Sequence, residues 1–334
     1  MKAQPSHPMI LVRDLAIGYQ KDAVLLDHLK LRVEHGELIA LIGRNGTGKS
    51  TLLKTILGLL PPLAGELLLS GSPLTSYSAL KRAQLVSYVA SGLPQLPSLS
   101  VEEVASLGRM PHTGWRGQLS RIDKEEVSEA LRLVGMSKFR NRKLDQLSDG
   151  ERQRAMIARA LAQDTPLILL DEPAAFLDIP NTHELITLLT QFRSSGKAII
   201  YSTHDLELAM QCADKVWVIH EDHIFEGSPE DLGLGGLFSR IFSSSGIAFD
   251  EATGRFLFSR GRAKRICLLG EHEQALIWTR RLLRRLEYQI DPLSQRILRV
   301  EPAGDWFRWQ LEEDGREWPF EDLYNLARFL IQVS

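Results

Sequence analysis

Leu38-Ile39-Ala40-Leu41-Ile42-Gly43-Arg44-Asn45-Gly46-Thr47-Gly48-Lys49-Ser50 is a short apolar run that stops at a glycine-rich turn. Ser50–Leu60 follows with helical spacing and good helix formers. That order reads as strand, loop, helix. The turn fits G-x-x-x-x-G-K-[ST], a loop that cradles phosphates. The chemistry explains the residue types. Glycines let consecutive backbone N–H groups converge on phosphate oxygens with no Cβ in the way. The next helix offers its unsatisfied N-terminal donors to the same anion. The residues expected at the nucleotide are Gly43, Asn45, Gly46, Thr47, Gly48, Lys49, Ser50 and Thr51. Lys49 would neutralise charge on the β- and γ-phosphates, and the Ser50 hydroxyl would ligate Mg²⁺, a cation that prefers oxygen.

Further short apolar runs lie downstream at Leu167–Leu170, Ala198–Tyr201 and Val216–Ile219. Each ends in polar residues, as buried parallel strands do. Helical segments at Glu151–Gln163, Asn181–Ser194 and Leu206–Ala213 separate them, and residues 121–165 read as purely helical. Strands alternating with helices imply an α/β core with a mostly parallel sheet. The run Leu167–Leu170 ends in Asp171-Glu172. An apolar strand followed by a polar turn is common. Beside a phosphate loop the pair reads as Asp171 near the metal and Glu172 polarising the attacking water.

Composition bounds the alternatives. The 334 residues suggest two domains, or one with an appendage. A net charge of −2 disfavours a globally basic nucleic-acid binder. The two cysteines, Cys212 and Cys267, exclude a disulfide framework or a zinc ribbon as organising principle. Met1–Pro8 lacks the apolar core of a signal peptide, and no stretch approaches the ~18 apolar residues of a membrane span. Work at a membrane would therefore need a separate membrane-crossing partner.

Leu147-Ser148-Asp149-Gly150-Glu151 precedes another helix. Ser148 with Glu151 forms a capping-box pattern, which by itself is only a helix start. Ser148 and Gly150 would equally make a second anion-binding helix end. The chain already has one cradle, so the second has a target only on another copy. The stretch resembles the LSGGQ signature of ATP-binding cassette (ABC) ATPases, with Asp and Glu at its third and fifth positions. The resemblance covers about residues 9–230 and implies a P-loop NTPase cassette with a helical subdomain at about 92–165. It also implies two copies bound head to tail around two ATP. By the same resemblance Tyr19 stacks on adenine, Asp178 lies in the loop joining the two sites, and His204 contacts the γ-phosphate beside the catalytic Glu172 and Lys49. The metal set becomes Ser50, Asp171 and Ser91. Ser91 stands where the family has a metal-sensing Gln, and Gln95, four residues later, is the other candidate.

Leu107-Gly108-Arg109-Met110-Pro111-His112, before a Trp-Arg-Gly stretch, resembles the ATPases of bacterial iron–siderophore, haem and vitamin B12 importers. That implies an ATP-hydrolysing subunit, peripheral on the cytoplasmic face of the bacterial inner membrane. Its partners would be integral permease subunits, docked near residues 88–120, and indirectly an exported substrate-binding protein. A soluble ABC ATPase acting on nucleic acid or a regulatory partner is the alternative. No nucleic acid is expected as a partner.

After a tail at 1–8 and a cassette at 9–230, a Gly-, Pro- and Ser-rich connection at 231–258 leads to a module at 259–334. The module reads as βαββα: a strand at Arg265–Leu269, an amphipathic helix at Glu271–Tyr288, a hairpin turning at Ala303-Gly304 and a helix at Phe320–Val333. Its four tryptophans read as a small core. Arg280, Arg281, Arg284 and Arg285 fall on one helix face, by default solvated, or facing anionic headgroups or an acidic regulator.

Overall fold

The computed structural model describes residues 7–20, 23–92, 98–114, 117–242, 247–250, 255–258, 264–304 and 306–333. The chain divides into two compact units, Met1–Leu237 and Phe238–Ser334.

The first unit begins with two long strands, β1 (Ile10–Gln20) and β2 (Ala23–Val33), then β3 (Leu38–Gly43) and helix α1 (Lys49–Leu57). Next come β4 (Ala64–Leu69), β5 (Ser72–Pro73), α2 (Ala79–Leu85) and β6 (Val86–Val89). Three helices follow: α3 (Val101–Leu107), α4 (Arg121–Leu133) and α5 (Asp149–Ala162). The unit continues through β7 (Leu167–Leu170), α6 (Ile179–Ser194), β8 (Ala198–Thr203), α7 (Leu206–Cys212), β9 (Lys215–His220), β10 (His223–Gly227) and α8 (Pro229–Leu234).

The central sheet has the order β10-β9-β3-β8-β7-β6. Only the β9–β10 pair is antiparallel. Every residue of β7 and β8 is buried, because helices and a second sheet cover both faces. That second sheet, β2-β1-β4-β5, is antiparallel. Alternate residues of the central strands, among them Ile39, Leu41, Leu167, Leu169, Ile200 and Trp217, pack with it and with Leu52, Leu53 and Ile56 of α1 in one cluster. Because β3, β6, β7 and β8 run parallel, their carboxyl ends share one edge, where an open α/β sheet binds its ligands.

Residues 121–165 are helical only in part. Short 3-10 turns at Ser137–Phe139 and Leu144–Gln146 separate α4 from α5. In this region Arg109 and Asp123 form a buried ion pair at 2.8 Å. Arg109 Nη1 also donates to the Ala162 carbonyl at 2.8 Å, tying α4 and α5 together.

The stretch 231–258, read as a connection, carries secondary structure. Helix α9 (Leu237–Phe242) and an antiparallel hairpin of β11 (Ile247–Asp250) and β12 (Arg255–Phe258) lie within it. Gly235 and Gly236, part of what suggested a linker, form the turn between α8 and α9, and Ser243–Ser245 lie outside the described residues.

The second unit then contains β13 (Lys264–Gly270), α10 (Glu273–Arg285), β14 (Tyr288–Ile290), β15 (Ile297–Ala303), β16 (Trp306–Glu313), β17 (Arg316–Phe320) and α11 (Leu323–Gln332). Its sheet has five strands in the order β14-β13-β15-β16-β17. The two short edge strands share only Tyr288 and Phe320 with the segments read as helices, and the rest of each was read as no element. Ile266, Leu298, Val300, Trp309 and Leu311 form its core with Leu282, Leu283 and Leu326. Trp309 Nε1 donates to Thr279 Oγ1 at 2.8 Å, which satisfies the indole inside that core. Trp278 and Trp306 are 52% and 63% exposed, so two of the four tryptophans expected in a core are surface residues.

Candidate active site

The phosphate loop leaves β3 at Gly43 and enters α1 at Lys49. Gly48 is the N-cap, at φ 103° in the left-handed region that glycine tolerates. No side chain caps α1 and no acidic residue occupies its first turn. The first amides of α1 are therefore uncontested donors at the positive end of the helix dipole. Gly46, at φ 83°, has open space where a Cβ would sit. Thr47 Oγ1 donates to the Arg44 carbonyl and pins the turn. Lys49 is 6% exposed, and its Nζ donates to the Gly43 and Arg44 carbonyls at 2.7 and 3.2 Å. Burial pushes its ammonium below the usual lysine range, while Glu172 and Asp171 pull it back up. An ammonium resting on two carbonyls, with carboxylates near, lacks a full counter-anion, and a phosphate supplies one.

Asp171 and Glu172 leave the carboxyl end of β7. Asp171 is 1% exposed; its Oδ1 accepts from Ser202 Oγ at 2.6 Å and its Oδ2 from Tyr88 OH at 3.4 Å. Burial, and after it the Asp171 carboxylate, pushes the Tyr88 phenol well above its ordinary value. Ser202 Oγ also accepts from the Glu172 amide at 2.8 Å, so one hydroxyl orients both acids. Glu172 sits at φ 50°, a strained region for a non-glycine residue. His204 follows β8, and its Nδ1 lies 3.9 Å from Glu172 Oε1. Ser202 and Tyr88 escaped sequence reasoning. The signal for Ser202 was its place two residues before His204; nothing local marks Tyr88.

Tyr19, on β1, is 65% exposed, and its hydroxyl accepts from Thr51 Oγ1 at 3.3 Å, beside the start of α1. Ser50 is half-buried in the first turn of α1, and Ser91 is half-buried two residues beyond β6. Asn45 is exposed on the loop. Gln95 lies outside the described residues.

Ser148 and Gly150 stand apart from this group. Ser148 caps α5: its Oγ accepts from the Glu151 amide, and Glu151 Oε2 accepts from the Ser148 amide at 2.8 Å. Asp149, one of the two acidic departures in the signature, pairs with Arg152 at 2.9 Å, which offsets its charge at the helix start. A Cβ on Gly150 would lie 3.0 Å from the Phe176 carbonyl, so α5 starts against the loop after Glu172. Gln153, fully buried, strengthens that contact by donating to the Pro173 carbonyl at 3.2 Å. Asp178 caps α6, and its Oδ1 accepts from the Asn181 amide at 3.0 Å.

The helices between β6 and β7 are tied to the same edge. Arg159 of α5 donates to the Tyr88 carbonyl at 3.1 Å. A cleft of about 830 Å³ opens among these helices, lined by Leu99, Glu103, Leu107, Met110, Val127 and Lys143 among others.

The family profile described as ABC transporter matches residues 26–175, and that of the iron ABC transporter C-terminal domain matches 263–331. The achromobactin transport ATP-binding protein CbrD of Dickeya dadantii (strain 3937) is 38% identical over 240 residues, covering 70% of this chain and 87% of that protein. The ferric enterobactin transport ATP-binding protein FepC of Escherichia coli (strain K12) is 33% identical, covering 71% and 88%. Among solved structures, dimeric MJ0796, a bacterial ABC transporter cassette, superposes with a TM-score of 0.60 at 25% identity, covering 66% of this chain and 99% of that one. The chain belongs to the ABC transporter family, as one of its ATP-hydrolysing subunits.

Proposed function

We propose that this subunit powers uptake of an iron chelate, a ferric siderophore or haem, through a separate permease fed by an exported substrate-binding protein. The cargo assignment rests on relatives named for achromobactin, ferric enterobactin and hemin, and on the iron ABC transporter C-terminal match. Among the described residues no helix is long and apolar enough to cross a membrane. The subunit then works peripherally, at the cytoplasmic face of the bacterial inner membrane. The permease would seat on the cleft between α3 and α4, which pack on α5, whose Arg159 reaches Tyr88 and so Asp171.

In this reading the amides of the phosphate loop and Lys49 hold the ATP phosphates, and Tyr19 takes the adenine. Glu172 accepts a proton from the water that attacks the γ-phosphorus, the bond to the bridging oxygen breaks, and ADP and phosphate leave. His204, within reach of Glu172, orients the same water. The donors fit magnesium: Asp171 is a buried carboxylate held by two hydroxyls, and Ser50 adds a hard oxygen. Ser50 and Asp171 would hold the ion, with Ser91 through water, where it neutralises phosphate charge.

One observation carries the two-copy reading. Ser148 and Gly150 form a helix start whose hydrogen bonds run to Glu151 and not to the chain's own phosphate loop. It would close on the ATP of a second copy, with Asp178 nearby. Glu172→Gln should slow hydrolysis about 10²–10⁴-fold and leave nucleotide affinity intact. With saturating ATP the variant should elute as a dimer in gel filtration. Parental turnover by the variant would remove Glu172 as base, and a monomer under those conditions would remove the shared site.

A further inference from the structure

We infer that the exposed face of α10 is a docking surface for an anionic lipid bilayer. The helix buries Ala275, Thr279, Leu282 and Leu283 against its own sheet. The opposite side carries Ile277, Trp278, Arg280, Arg281, Arg284 and Arg285, all exposed. At 100° per residue these six fall within an arc of about 160°, over about 12 Å of helix. Glu273, in the first turn, is the acidic residue of the helix.

The neighbouring arginines set the contrast. Arg265 pairs with Asp291, Arg296 with Glu313, Arg299 with Glu312 and Arg308 with Glu321. Among the described residues no carboxylate pairs with Arg280, Arg281 or Arg285. The carboxylates that pair in this unit go to other arginines, and Arg280, Arg281 and Arg285 face outward. Arg281 lies 5.3 Å over the Trp278 ring, which is itself 52% exposed, as is Ile277. Guanidinium forks match phosphate oxygens, and an exposed Trp beside them suits the headgroup layer, where aromatic rings collect. An acidic protein is the competing occupant, and Trp278 and Ile277 within the arginine arc suit the headgroup layer, which takes cations and an aromatic ring together. The apolar stripe of α10 is committed to the core, so the helix rests on the headgroups and does not insert. The inference does not depend on the cargo or on the catalytic assignments.

The test is sedimentation of the full chain with vesicles of phosphatidylcholine alone, or with about a third of the lipid as phosphatidylglycerol. The parent should bind the anionic vesicles, ignore the neutral ones and let go as salt is raised. Replacing Arg280→Gln, Arg281→Gln and Arg285→Gln together should lower partitioning on the order of a hundredfold, with ATP hydrolysis at the parental rate. Trp278→Ala should lower it several-fold. The inference fails if the parent ignores anionic vesicles, if salt leaves its binding unchanged, or if the triple variant binds as well as the parent. Equal retention of the chain by soluble polyglutamate would also overturn it, reassigning the face to an acidic protein.

Discussion

Asp123 shows how one residue makes stability depend on acid. The Ser120 hydroxyl, and after it the Arg109 guanidinium, hold its carboxyl at about 2 against an ordinary 3.8, while burial opposes them. A carboxylate held low stabilises the fold above its unfolded value, and that contribution disappears as pH falls towards the folded one. The window here is therefore about pH 4 down to 2. Asp123→Asn strands Arg109 in the interior and should cost about 3 kcal/mol at neutral pH. In urea titrations the gap between parent and variant should shrink below pH 4 and close near pH 2, where the parent has lost the same charge. A gap that stays constant across that range would mean that the ion pair is not its source.

The crossing of α3 and α5 depends on a glycine, for lack of space and not for backbone freedom. Gly108 ends α3 with φ −60°, open to any residue, but a Cβ there would lie 2.1 Å from the Arg159 carbonyl. Gly108→Ala must push the two helices apart, at about 1–3 kcal/mol, read as a lower melting temperature. Arg159 also holds Tyr88, and Tyr88 reaches Asp171, so turnover should fall while ATP affinity holds. A parental melting temperature in the variant would show that the crossing has room to spare. Neighbouring segments show what the chain reveals in advance. The central strands were legible because burial on both faces makes them continuous apolar runs, and the phosphate loop because its chemistry demands glycine at fixed spacing. The antiparallel sheet of β1, β2, β4 and β5 was not, since half-buried strands such as β2 keep polar residues on their open face and irregular registers blur the alternation. Likewise β14, three residues after a basic helix, offers too few positions for any period to register. At the site, Glu172 and Asp171 announce themselves at a strand end, whereas Tyr88 acts across 83 residues of sequence, and only folding brings it to the acid.

At the scale of the molecule, hydrolysis and the lipid-facing helix belong to different cores. The cluster beneath the antiparallel sheet draws on residues 9–224, and that of the second unit on residues 266–330. A unit with its own core can fold by itself, so each should survive loss of the other. A chain ended at Phe258 keeps the whole central sheet, the phosphate loop, Glu172 and His204. Its ATPase rate should stay within about twofold of the parent, because among the described residues none of those groups takes its hydrogen bonds from the removed segment. The same truncation removes α10 and should abolish binding to anionic vesicles. The full chain should accordingly unfold in two calorimetric steps, one of which is missing from the truncated chain. If the truncated chain loses nucleotide binding, the second unit is a structural support for the first. The arginine face of α10 would then have to be tested in the intact protein alone.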